Sequence, residues 1–124
     1  MTPLQKIAWI ARAGLALIFI YHGLVPKLLW LSPGELQMIE AHGIEQVVLV
    51  ARLSGVAEIL LGLWLLIDRQ RSLALWISAF ALLALLVDVA VMTPSLLAQA
   101  FNPVSVNGVG LALCAIAWIA RQRG

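Results

Sequence analysis

The chain has 124 residues, of which 63% are hydrophobic and 11% charged, with a formal net charge of +2. So few charges cannot clothe a water-soluble domain, and a mean hydropathy of +1.02 points to lipid as the solvent for the remainder. The composition excludes a soluble globule and predicts an integral membrane protein; the scattered lysines and arginines form no basic face for nucleic acid, and one cysteine, Cys114, excludes an internal disulfide or a CxxC redox pair.

The elements follow in chain order. Thr2-Pro3 followed by Gln5 has the pattern of a capped helix start. Lys6 precedes an apolar run with no small-residue cleavage site, which predicts a retained first span rather than a cleaved signal. Crossing a hydrocarbon core of about 30 Å takes roughly 20 helical residues. Four stretches are long and apolar enough to cross, at 7–25, 47–67, 73–92 and 104–120, the last slightly short, within a single domain of residues 1–124. Lipid leaves backbone groups no partner except one another, so each stretch is expected to be a helix. Between the first two, Ser32-Pro33-Gly34-Glu35 repeats the helix-start pattern and opens a short interfacial helix over 33–41. Thr93-Pro94 opens a second short segment, which Asn102-Pro103 stops. The predicted fold is an all-α membrane protein, a four-transmembrane-helix bundle with a short interfacial helix in its first outer loop.

Basic residues near span ends set orientation. Lys6, Arg69, Arg71, Arg121 and Arg123 fall on one side against Lys27 on the other, which predicts cytoplasmic termini and outward-facing loops at 26–46 and 93–103.

At a rise of about 1.5 Å per residue, His22, Arg52, Asp88 and Asn107 all fall roughly 7–8 Å outward of their span midpoints, with Tyr21 one residue short of that level. Glu58 lies within about 2 Å of the midplane, and Arg12 roughly 6–7 Å to the cytoplasmic side. Charges at such depths usually face inward, pair, and mark a site. Arg52 and Asp88 share a level and are expected to pair; Glu58 has Arg12 below and Arg52 above as partners, or is protonated. The competing reading is that these residues hold the helices in register, and Arg12 is expected to be structural or to reach the interface. Tyr21 reads equally as an interfacial anchor. His22 and His42 are the two histidines, with no metal-ligand spacing between them. Gly55, Glu58 and Gly62 share one side of the second span, and Gly108 and Gly110 open the fourth, as small residues do where helices pack closely.

Three segments carry a family resemblance: Tyr21-His22-Gly23-Leu24-Val25-Pro26-Lys27-Leu28, Gly55-Val56-Ala57-Glu58-Ile59-Leu60-Leu61-Gly62 and Phe101-Asn102-Pro103-Val104-Ser105-Val106-Asn107. Together and in this order they resemble the DoxX-like family of small four-helix membrane proteins. The resemblance implies the bacterial inner membrane, and it marks Gly23, Pro26, Lys27, Glu58, Asn102, Pro103 and Asn107 as family-pattern positions. It extends the candidate site to Lys27, Asn102 and Asn107 at the outer mouth. By association with the wider superfamily it also implies quinone-linked oxidation, although no cofactor motif or partner domain is present here.

The expected ligand-binding layer is therefore Glu58, His22, Tyr21, Arg52, Asp88, Asn107, Asn102 and Lys27. One reading is a subunit that binds a quinone or other lipid-soluble ligand for a redox protein partner. The alternative is a non-enzymatic scaffold or assembly factor for a partner membrane protein. Solute or proton transport is a third reading, and it would call for a homo-oligomer. No self-contained catalytic motif is present.

Overall fold

A computed structural model describes residues 1–123. It contains α1 (Pro3–Gly23), a π-helical turn (Leu24–Leu29), α2 (Pro33–Glu40), α3 (Val47–Ile67), α4 (Leu73–Met92), a 3₁₀ turn (Pro94–Ala98) and α5 (Pro103–Arg123). Among the described residues four helices are long and apolar enough to cross a membrane, so the chain is a multi-pass membrane protein.

The helix starts form as their sequences dictate. Thr2 and Gln5 cap each other across the first turn of α1, with Pro3 at its first position. The Ser32 hydroxyl accepts from the Glu35 amide at 3.3 Å to start α2. The Glu35 carboxylate does not return that contact; it turns to Lys27 instead. Asn102 starts α5, its Oδ1 accepting from the Ser105 amide at 3.0 Å with Pro103 following.

The helices do not close into a square. α1 packs against both α3 and α5, α4 packs against α5, and the consecutive helices α3 and α4 scarcely touch, so the order across the bundle is α3–α1–α5–α4. Leu49, Leu53, Val56, Leu60, Leu63 and Ile67 form one exposed apolar stripe along α3. The buried apolar core lies toward the end that carries the termini, built from Ala11, Leu15, Ala16, Phe19, Leu65, Ala74, Leu75, Leu82, Cys114 and Ala117.

Small residues set how closely the helices approach. A Cβ on Gly55 would lie 2.6 Å from the Gly23 carbonyl oxygen, and one on Gly62 would lie 2.6 Å from Ile20 Cγ1. α1 and α3 therefore cross with backbone against backbone, as small-residue stripes permit in membranes. Gly110 packs against Leu82, whereas Gly108 is exposed and a Cβ there would meet nothing within 4 Å. The packing role expected of Gly108 is thus not found.

Arg12 shows what holds the terminal end together. Its side chain is buried at 1% exposure. It donates to the carbonyls of Leu65 and Asp68, each at 3.1 Å, and to that of Arg71 at 2.6 Å. The last carbonyls of a helix have no partner within it. A guanidinium there satisfies them and suits the negative end of the helix dipole. Arg12 is structural, one of the two roles its sequence position suggested.

Candidate functional site

Pro26 shapes the C-terminal end of α1. Proline has no amide hydrogen, so the His22 carbonyl loses the partner that an α-helix would supply four residues on. The chain widens into the π-helical turn at this point, with the Trp30 amide reaching back five residues to Val25 at 3.3 Å. Lys27, inside the turn, folds its side chain inward to 8% residue exposure. Its ammonium meets three oxygens: the freed His22 carbonyl at 3.3 Å, Glu35 Oε1 at 3.0 Å and Glu58 Oε2 at 3.0 Å. The His22 carbonyl and Glu35 each accept a hydrogen bond from the ammonium. The Glu58 approach is off the line of a hydrogen bond and is an ion pair by proximity. This cluster joins α1, α2 and α3, and its single cation faces two carboxylates.

The expected single polar layer does not form; its members divide among separate places. Lys27, Glu58 and the His22 backbone come together as described, and Glu58 pairs with neither Arg12 nor Arg52. The ion pair expected between Arg52 and Asp88 is absent among the described residues. Arg52 lies on the exposed side of α3, while Asp88 Oδ1 sits 2.6 Å from His42 Nε2. Depth along a helix gives no azimuth, and the wide separation of α3 from α4 keeps the two apart. Tyr21 is 55% exposed, its ring set edge-on to His22 with centroids 6.3 Å apart. Asn107 is buried and donates from Nδ2 to the Leu82 carbonyl at 2.9 Å, joining α5 to α4. Asn102 spends its side chain on Ser105 and on the Gln99 carbonyl at 2.9 Å.

Two residues outside the expected layer complete these contacts. Glu35 reads in sequence as a capping partner of Ser32, and only the fold reveals its turn toward Lys27. His42, just beyond α2, donates from Nδ1 to the Met38 carbonyl at 2.7 Å and faces Asp88 with Nε2. Both neighbours are acceptors, so the geometry is met in full by the doubly protonated ring. The bond to Asp88, then the backbone bond to Met38, raise the His42 pKa above its ordinary 6.5. The four-residue spacing from Met38 was a legible signal for a histidine at a helix C-terminus; the Asp88 contact, 46 residues away, was not.

His42 and Asp88 lie at the edge of an open, shallow groove of about 530 Å³ along the C-terminal half of α4, bordered by Phe80, Leu83, Ala84, Val87, Val91 and Met92, all on the exposed side of that helix. Its lining is an apolar helix face with one polar pair at the rim. The other Asp88 oxygen makes no hydrogen bond among the described residues. It is free to accept one from a hydroxyl. Glu58 and Lys27 do not line this groove.

A family model described as the DoxX-like family matches residues 16–115. No curated protein and no solved structure matches the chain.

Proposed function

Because this chain belongs to the DoxX-like family, and is a multi-pass membrane protein, we propose that it is a small bacterial inner-membrane subunit, with cytoplasmic termini, that binds a quinone or similar lipid-soluble molecule for a redox protein partner. The observation that carries this reading is the open apolar groove on the exposed side of α4, bordered at one edge by the polar pair His42 and Asp88. A molecule with an apolar tail and a hydroxylated ring matches both parts. The tail replaces lipid against Phe80, Leu83 and Val87, and a ring hydroxyl donates to the free oxygen of Asp88. The hydroxylated ring is the reduced, quinol form, which would give two electrons and two protons to the partner and become the quinone.

The Lys27 cluster acts through position. By binding Glu35 it fixes α2 against the π-helical turn, and α2 carries His42 toward Asp88. Glu58 anchors the same ammonium from α3. The polar residues near the outer end then have distinct tasks: Lys27, Glu35 and Glu58 hold the frame, while His42 and Asp88 meet the ligand. The orientation is supported by Arg69 and Arg121 beside the N-terminal turn of α1, at the end opposite Lys27.

The test is extraction from the native membrane in mild detergent, with bound small molecules identified by mass spectrometry. Near-stoichiometric quinone in the wild type, lost in D88N, is expected. Bulk lipid alone in both proteins would defeat the reading. One observation favours the scaffold alternative: the Lys27 ammonium is already engaged inside the fold by the His22 carbonyl, Glu35 and Glu58. A defined second membrane protein at constant stoichiometry, with no small molecule, would support that alternative instead.

A further inference from the structure

At the opposite end of the bundle the structure holds a second cavity, of about 400 Å³, between the start of α1, the loop joining α3 to α4, and the end of α5. Its polar lining is Gln5, Arg12, Arg69, Gln70 and Arg121, with Trp9 forming an aromatic wall. Three arginines converge here, and among the described residues no carboxylate side chain lines the cavity. Arg12 and Arg121 are held by backbone carbonyls, Arg121 by that of Gln70 at 2.8 Å from Nε. Those contacts position the guanidinium groups without neutralising them. Arg69 makes no hydrogen bond or ion pair among the described residues; its guanidinium lies 5.2 Å from the centroid of the Trp9 ring.

Orienting a membrane protein requires only that basic residues lie near the correct interface. It does not require them to share a cavity, where like charges repel. Arg71 shows the difference. It belongs to the same loop, yet its side chain is 80% exposed, lies 4.0 Å from Asp68, and does not line the cavity. Guanidinium forks fit the oxygens of a phosphate, and basic pockets between spans at this depth suit anionic headgroups. We propose that this cavity is a phosphate-binding site, formed by Arg69 and Arg121 over the buried Arg12, that takes an anionic phosphate group from a lipid headgroup or from solution.

The test uses the whole protein in neutral detergent, with thermal unfolding followed by tryptophan fluorescence. Short-chain phosphatidylglycerol, short-chain phosphatidylcholine and inorganic phosphate are titrated separately at fixed ionic strength. The expected result is a rise in Tm with phosphatidylglycerol that phosphatidylcholine does not give. R69Q should raise the half-saturating concentration roughly tenfold, the loss of one charge-assisted contact, while R71Q leaves it unchanged. Arg69 bears no hydrogen bond in the fold, so R69Q is expected to fold, and R121Q serves as the second variant. A matching rise with inorganic phosphate would identify the free anion as the source, and its absence would identify the headgroup. Equal responses to the two lipids without a phosphate response, or equal weakening by R71Q and R69Q, would overturn the proposal.

Discussion

Replacing Lys27 by methionine keeps most of the stem and removes the charge. At 3.0 Å, and with an effective dielectric constant of about 20, each Lys27–carboxylate pair carries about 5.5 kcal/mol of attraction. Taking each ion out of water costs several kcal/mol, so the intact cluster contributes far less than the two attractions together. The balance changes once the cation is gone. Glu35 and Glu58, whose side chains are 16% and 22% exposed, are left facing each other with the His22 carbonyl unpaired. Removing one partner of a buried pair costs about 3–5 kcal/mol, and K27M is expected to fall in that range by reversible unfolding in detergent. Adding E35Q and E58Q to K27M should recover most of the loss, because no uncompensated charge remains. A K27M protein within about 0.5 kcal/mol of wild type would refute the reasoning, since that is the scale of a surface pair.

Gly55→Leu should separate α1 from α3 and cost at least 2 kcal/mol or so, because its Cβ meets the Gly23 backbone rather than a yielding side chain; Gly108→Ala, facing open space, should be neutral or stabilise by up to about 1 kcal/mol. Thermal melts of the two variants side by side check both. R12M strands the carbonyls of Leu65, Asp68 and Arg71, and a loss of about 3 kcal/mol or more is expected. Faster amide exchange at the end of α3 would localise the damage. The His42 pKa is raised in the folded protein, so the stability from its bond to Asp88 is fully present below the unfolded value of about 6.5 and is lost as pH rises through the folded value. Hydrogen exchange across 38–46 should therefore quicken, relative to its intrinsic rate, as pH rises through that window, and H42Q should abolish the dependence.

The spans were legible because lipid imposes one solution: a long apolar run must satisfy its own backbone, and a helix does so. Caps at Thr2 and Ser32 were legible because they rest on contacts three residues apart. The DoxX-like resemblance also rested on short local motifs. The polar contacts were harder to read. Depth placed Arg52 and Asp88 together, but a salt bridge also needs the two faces to meet, and helix order decides that. Consecutive spans usually pack as neighbours, whereas here α1 and α5 lie between α3 and α4. The same ambiguity hid His42 from Asp88. Lys27 reached Glu58, well below its own level, because its four-carbon stem folds inward once Pro26 has freed the His22 carbonyl.

Photolabelling with a short-chain quinone bearing a reactive group on its ring, followed by peptide mapping, addresses ligand binding at the α4 groove most directly. The account predicts labels on residues between Phe80 and Met92 and at His42, competed away by excess unlabelled quinone and lost in D88N. Saturable labelling of the Lys27–Glu58 region that persists in D88N would contradict it.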